Sequence, residues 1–258
     1  MEQFAAKIIR NHAINDAFLE MEMSWEAAEI PIPGQFLTIR VSDIAIPLLR
    51  RPFAISSFDP LKRTCSIIYQ VRGCATEILS AKKAGEIIDV IGPMGNGFPP
   101  FSGSKALLIA GGTGLGPILF LSATLRNSAI NTRFIFGCRS KTLIPQSASF
   151  TRENPIICTD DGSEGFHGTT ADYLYSISNE IDPNSVVFCC GPHPMLAACH
   201  IFASKMQIPC FVSVEQIMAC GVGACMGCVV KTIDPPGYKR ACKEGPVFNS
   251  LELDWQIT

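Results

Sequence analysis

The chain has 258 residues, 47% hydrophobic and 17% charged, with a formal charge of −2 at pH 7. That length predicts two domains, or two and a small appendage, and the apolar share excludes a disordered chain. The near-neutral charge, with no long run of Lys or Arg, points away from nucleic-acid binding.

The N-terminus, MEQFAAKIIR, has no basic segment followed by an apolar core and a cleavage site, so no secretory signal is read there. The first 100 residues look like β structure. Gln35–Val41, Arg51–Ser57 and Cys65–Val71 are short runs rich in β-branched or aromatic residues, punctuated by Pro33–Gly34, Asp59–Pro60 and Gly92–Pro93. A short helix is expected over Thr76–Lys83, ended by Gly85. Several strands and one helix predict a small antiparallel barrel.

Near Gly103 the pattern changes. Ala106–Leu125 carries no charge and matches a membrane span in length, but Gly111, Gly112, Gly114, Gly116 and Pro117 interrupt it. Strand, glycine turn and core helix is the better reading. Further strands are expected at TRFIFGCRS, PIICTDD and SVVFCCGP, with helices around Gly168–Ile177 and Pro192–Met206. Alternating strand and helix predicts a parallel α/β sheet. From Phe211 the chain turns rich in Cys and Gly. The expected fold class is α+β and multidomain, divided into 1–100, 101–210 and 211–258.

Twelve cysteines in a long chain without a signal fit reduced thiols and a metal site better than disulfides. Four of them, Cys220, Cys225, Cys228 and Cys242, follow C-x4-C-x2-C with a fourth downstream, the plant-type [2Fe–2S] arrangement. Three thiolates must come from one tight loop. Gly221, Gly223 and Gly227 free its backbone for positive φ and let N–H groups face the sulfurs. A structural zinc site, which usually takes two separated Cys pairs, is the alternative, as is chance spacing. The four histidines (His12, His167, His193, His200) have no ligand spacing. Glu215 reads as a solvated acid.

Arg51-Pro52-Phe53-Ala54 resembles the R-x-[YF]-[ST] signature of the ferredoxin–NADP reductase superfamily, with Ala54 where a hydroxyl residue is usual. Read blandly, it is a strand start with a surface charge. Ile68-Tyr69-Gln70 through Gly73, Ala75 and Thr76 resembles the Y-x-x-x-G-x-G-T segment of the same superfamily, with Ala75 replacing a glycine. Gly92–Phe98, GPMGNGF, resembles its G-P-L-G-N-G-F passage between domains. Gly111-Gly112-Thr113-Gly114-Leu115-Gly116-Pro117 fits its G-G-x-G-x-x-P turn.

Whole-chain order and the segments PLLRRPFAIS, CTDDGSEGFHG and MACGVGACMGCVVKT make the sequence similar to the family of class B dihydroorotate dehydrogenase electron-transfer subunits. That resemblance implies an FAD-binding barrel, an NAD-binding α/β domain and a [2Fe–2S] domain. It implies an enzyme: the subunit of a cytoplasmic, NAD-dependent oxidoreductase complex of pyrimidine biosynthesis, without membrane or nucleic-acid contacts. NAD(H) is the expected donor, and an FMN-containing dihydroorotate dehydrogenase catalytic subunit the expected partner, in a heterotetramer. A reductase serving ferredoxin, sulfur or another acceptor shares the layout. FAD contacts are expected from Arg51, Pro52, Phe53, Ala54, Ile68, Tyr69, Gln70, Ala75 and Thr76. Nucleotide contacts are expected from Gly111, Gly112, Thr113, Gly114, Asp160 and Cys190. Cys190 lies near the nicotinamide in that superfamily; its alternative is a buried core thiol. No acid ends the second strand of the sheet, at Gly137–Ser140, so the choice of NAD or NADP stays open, and Arg139 favours a 2′-phosphate. Met218 and Met226 are either a docking surface beside the cluster or loop core.

Overall fold

The computed structural model describes residues 1–44, 46–101 and 103–256. Six strands close the N-terminal barrel: β1 (Glu2–Ala13), β2 (Phe18–Ser24), β3 (Phe36–Arg40), β4 (Arg51–Asp59), β5 (Thr64–Gln70) and β6 (Ile87–Met94), in the order β1-β2-β5-β4-β3-β6. Every pairing is antiparallel. Alternation along each strand turns Ala6, Ile8, Leu37, Ile39, Ile55 and Ile67 inward, each fully buried around Trp25. Helix α1 (Cys74–Ala81) packs Leu79 on this core. It begins two residues before the sequence places it. The Thr76 hydroxyl accepts from the backbone N–H groups of Arg72 (2.9 Å) and Gly73 (3.3 Å), so Thr76 caps the helix from inside its first turn.

The second sheet holds β7 (Lys105–Gly111), β8 (Asn131–Cys138), β9 (Ile156–Thr159), β10 (Phe166–His167), β11 (Val186–Cys190) and β12 (Cys210–Ser213), all parallel. Helices α2 (Leu115–Asn127) and α3 (Ala148–Arg152) cover one face with Phe134, Phe136 and Phe188. Helices α4 (Thr170–Ser176) and α5 (His193–Met206) cover the other with Ile135, Val187 and Cys189. Burial on both faces is why these strands read as unbroken apolar runs. No helix among the described residues is long and apolar enough to cross a membrane; Ala106–Leu125 is β7, a glycine turn and most of α2.

Beyond Ser213 the chain forms the cysteine loop and a small hairpin, β13 (Val229–Lys231) with β14 (Tyr238–Arg240). It then re-enters the large sheet as β15 (Val247–Asn249), antiparallel to β12, giving the order β10-β9-β8-β7-β11-β12-β15. The large sheet thus takes in Phe211–Ser213 and Val247–Asn249 from the cysteine-rich segment.

Candidate functional site

The strand order turns back at β7: α2 leads to β8 on one side, and β11 lies on the other. In open α/β sheets ligands bind at the carboxyl ends of strands at such a switch point. There the β7–α2 turn and the end of β11 touch. A Cβ on Gly114 would lie 2.1 Å from the Cys190 carbonyl oxygen, so only glycine admits this approach. A cleft of 1240 Å³ opens from this point along the barrel wall on one side and toward the cysteine loop on the other.

On the barrel side the cleft is lined by Arg51, Pro52, Phe53, Ala54, Ile68, Tyr69, Gln70 and Thr76, all expected from the sequence. Two neighbouring arginines take different roles. Arg50 binds Asp89, through the backbone carbonyl at 3.0 Å and an ion pair with the carboxylate. Arg51 donates to the Leu49 carbonyl at 2.6 Å and has no carboxylate partner among the described residues. Arg72, absent from the expected set, also faces the cleft, with Nε bonded to Gln70 Oε1 at 2.7 Å. Two guanidinium forks lining the same cleft as Thr76 of α1 make a donor set whose chemistry fits a pyrophosphate. Gly73 leaves open space there, where a Cβ would meet nothing within 4 Å.

Tyr69 is fixed edge-on against Phe53, with centroids 5.8 Å apart, and donates its hydroxyl to Asn11 Oδ1 at 2.9 Å. Burial pushes its phenol up to about 12, with the Asn11 bond a smaller opposing effect. Ala75 sits inside the barrel core, outside the cleft lining. None of the β4 residues that line the cleft, Arg51 to Ala54, carries a hydroxyl. Ser56 Oγ, next on that face of β4, is buried without a partner, and a Cβ on Gly116 would stand 3.3 Å from Ser56 Cβ.

On the nucleotide side the cleft is lined by Thr113, Gly114 and Cys190. Gly111 and Gly112 shape the turn behind them, and Asp160 is exposed just past β9; none of the three is in the lining. Cys190 is part of the cleft wall yet only 9% exposed. Burial raises its thiol to about 12, against a hydrogen bond with Ser213 on the neighbouring strand and with added repulsion from Glu215. Glu215 and Trp255 also line the cleft. Trp255 stacks on His200 (5.3 Å, 20°) and donates to the Ser250 carbonyl at 2.7 Å. Arg72 was legible as a second cation beside a helix start, whereas nothing in the sequence pattern signals Trp255.

Amide–sulfur contacts link the motif's cysteines pairwise, Cys225 to Cys220 and Cys242 to Cys228. Backbone N–H groups point at their sulfurs: Gly223 to Cys242 (3.1 Å), Cys225 to Cys220 (3.4 Å), Gly227 to Cys225 (3.4 Å) and Cys242 to Cys228 (3.4 Å). Gly221 and Gly223 adopt φ of +70° and +82°, as the loop requires, but at its third bend Met226 (φ +59°), not Gly227, is left-handed. At Cys220 partial burial opposes ionisation, but backbone donors from Cys225, Val222 and Ala224 prevail and bring the thiol to about 6. Burial and the adjacent Cys228 push Cys242 up to about 12. Arg240 donates to the Gly223 carbonyl at 2.6 Å and pairs with Glu244, bracing the loop from below. Among the described residues no three His, Cys, Asp or Glu side chains gather closely enough for a single metal ion. A donor set of four thiols ringed by amides suits a sulfur-rich anionic cluster better than one zinc.

A closed flavin-type barrel, a switch-point cleft and an amide-lined cysteine loop together define an oxidoreductase of the ferredoxin–NADP reductase fold with a C-terminal iron–sulfur domain. The solved structure of an NADH-dependent reduced ferredoxin–NADP oxidoreductase superposes with a TM-score of 0.86 at 27% identity, over 96% of this chain and 89% of that one. A ferredoxin NADP+ reductase from Neisseria gonorrhoeae shares the fold, with a TM-score of 0.65 at 15% identity over 80% of this chain and 92% of its own. Residues 215–254 match the model for the iron–sulfur cluster binding domain of dihydroorotate dehydrogenase B. The "dihydroorotate dehydrogenase B (NAD(+)), electron transfer subunit" of Caldanaerobacter subterraneus subsp. tengcongensis is 36% identical over 96% of this chain and 97% of the relative. That of Desulforamulus reducens is 36% identical over 98% of each. The chain belongs to this family of electron transfer subunits.

Proposed function

We propose that the chain passes electrons from NADH through FAD to a [2Fe–2S] cluster on Cys220, Cys225, Cys228 and Cys242, and on to an FMN-containing dihydroorotate dehydrogenase catalytic subunit. The assembly is a cytoplasmic heterotetramer serving pyrimidine biosynthesis. One observation carries the reading. A single cleft runs from Arg51 and Ala54, past Thr113, Gly114 and Cys190, to Met218 and Pro246, which flank the cluster cysteines in sequence.

FAD supplies the exchange between two-electron hydride and one-electron cluster chemistry. The chain's own residues orient and shield. Arg51, Arg72 and the α1 N-terminus hold the FAD pyrophosphate. Pro52, Phe53, Ala54, Ile68, Tyr69 and Gln70 form the flavin wall, with Ala75 and Thr76 shaping the helix start. Gly111–Gly114 receive the nucleotide pyrophosphate, Cys190 abuts the nicotinamide, and Asp160 edges the nucleotide site. The units are 1–100 for FAD, 101–210 for NAD and 211–258 for the cluster.

The partner docks on the cluster side. Cys225 is exposed there, and its sequence neighbours Val222 and Met226 are 44% and 39% exposed. Met226→Asp is expected to weaken association while leaving the visible spectrum intact. The main test is anaerobic co-purification with the FMN subunit, followed by dihydroorotate-dependent reduction of NAD+. Protein with neither iron nor acid-labile sulfide would end the proposal. The match to the NADH-dependent ferredoxin–NADP oxidoreductase favours a second reading, a reductase serving ferredoxin. It predicts ferredoxin turnover without any FMN partner.

A further inference from the structure

The segment Gly92–Phe98 does more than join two domains. It grips both pieces of chain that carry the cluster cysteines. Under the three-cysteine loop, a Cβ on Gly221 would stand 3.2 Å from Met94 Cε and 3.3 Å from Thr38 Cγ2, so the loop rests directly on barrel strands β6 and β3. The stronger grip is on the turn after Cys242. In that turn the Arg240 carbonyl accepts from the N–H groups of Lys243 (3.2 Å), Glu244 (2.9 Å) and Gly245 (3.2 Å). The three carbonyls of the same residues are met by one residue, Asn96. Its side-chain amide donates to Lys243 O (3.4 Å) and Glu244 O (2.9 Å), and its backbone N–H to Gly245 O (2.6 Å). Gly95 makes room for this contact at φ +73°; a Cβ there would fall 2.7 Å from Pro246 Cδ and 2.9 Å from Phe36 Cε1. Phe36 and Pro246 are themselves wall residues of the cleft.

The flavin wall and the fourth cluster ligand are therefore tied through a few covalent and hydrogen bonds that meet at Asn96. We infer that Asn96 is a positioning residue that fixes the spacing between flavin and cluster. Asn96 lies outside the cleft lining. It acts by pinning the Lys243–Gly245 turn, and with it Cys242, to the end of β6. Inter-cofactor electron transfer is steeply sensitive to separation, so a loosened turn slows the passage of one electron from reduced FAD to the oxidised cluster. Hydride transfer from NADH to FAD would be unaffected, since Asn96 is not among the residues lining the nucleotide side of the cleft. Outer partners of metal ligands, when removed, typically cost about 10–100-fold.

This inference rests on the proposed function, and the test separates the two. Parent, Asn96→Ala, Asn96→Asp and Asn96→Gln holoproteins are mixed anaerobically with NADH, and bleaching of flavin and of cluster is followed at separate wavelengths. Iron, sulfide and FAD contents are measured alongside. Alanine removes the side-chain donor, aspartate keeps the size without the donor, and glutamine restores it. Flavin bleaching is expected within about two-fold of the parent in every variant, with cluster bleaching slowed about 10–100-fold in the Ala and Asp variants and largely recovered in Gln. Amide exchange at Lys243–Gly245 is expected to rise in the same two variants. Parental cluster bleaching in both Ala and Asp variants would overturn the assignment. So would loss of iron from both with FAD retained, because Asn96 would then hold the ligands and not the spacing. A parent that lacks iron and sulfide refutes the proposed function itself, a result distinct from either.

Discussion

Substituting Gly114 by alanine isolates the contact on which the nucleotide side depends. Gly114 has φ −63° and ψ −7°, which alanine adopts freely, so the backbone conformation adds no strain. The conflict is one of space. The new Cβ would lie 2.1 Å from the Cys190 oxygen, 2.3 Å from its carbonyl carbon and 2.6 Å from the Gly191 nitrogen, whereas ordinary contact begins at 3.4 Å. All three atoms are main chain, so no rotamer relieves the clash. The β7–α2 turn and the end of β11 must separate by about 1 Å, an overpacking that costs about 1–3 kcal/mol. At about 2–4 °C per kcal/mol for a chain of this size, the Tm falls by about 2–12 °C. A shift of about 1 Å in a positioning element can cost about 100-fold, so affinity for NAD+ is expected to drop about 10–100-fold with FAD and iron content unchanged. Gly85→Ala, outside the cleft, is the control: its φ of +92° is strained for alanine but nothing lies within 4 Å, so it should cost about 1–2 kcal/mol of stability with little loss of binding. Calorimetric titration with NAD+ and scanning calorimetry read both effects. Parental affinity and Tm in Gly114→Ala would refute the close approach as what positions the nucleotide.

Other outcomes follow from features elsewhere. Arg240→Gln removes the brace on the Gly223 carbonyl and on Glu244, and loss of iron to a chelator should accelerate about 10–100-fold while FAD stays bound. Burial raises the thiols of Cys158, Cys190 and Cys210 from 9.0 to about 12. The folded chain therefore keeps protons that the unfolded chain releases. Their contribution to stability is complete below pH 9.0 and is lost as pH rises toward about 12, at up to about 1 kcal/mol per pH unit for each thiol. Melting temperatures across that window should fall, and less steeply in Cys210→Ala; a flat profile in the parent would contradict the burial. The His200 imidazole is held below its ordinary value by burial, and Trp255 stacks on its ring. Trp255→Ala should raise that value, read by a proton NMR titration of the ring.

Much of the fold was legible because periodicity and punctuation agree with it. The apolar runs at β7, β8 and β11 are doubly covered strands, and the glycine turn after β7 falls where the strand order reverses. Arg51 and Thr76 were legible through local pattern, since both sit at the edge of an element. Neighbour identity was less legible. Nothing local separates Arg50, tied to Asp89, from Arg51, which faces the cleft; the difference comes from strand pairing, which sets Asp89 on β6 opposite Arg40 on β3, and Arg51 on β4 opposite Ile39 on β3. Ala75 has the motif's spacing but points into the barrel core. Trp255 and β15 escaped notice because their partners lie far back in the chain. The same distance hides the contact between Asn96 and the Lys243–Gly245 turn.

Strands β12 and β15 are neighbours, with Ser213 opposite Val247. The chain thus departs from the large sheet and returns to it one strand spacing away, having built the whole iron-bearing unit in between. Such an excursion is a cassette. A tight reverse turn from Ser213 to Val247 would seal the two strands as an ordinary hairpin. What remained would keep the Arg51 and Gly114 sides of the cleft while losing its Met218–Pro246 end, leaving a reductase whose circuit stops at the flavin. Grafted in reverse, the same excursion supplies a one-electron outlet to any plain barrel-and-sheet reductase with two adjacent antiparallel strands at this edge.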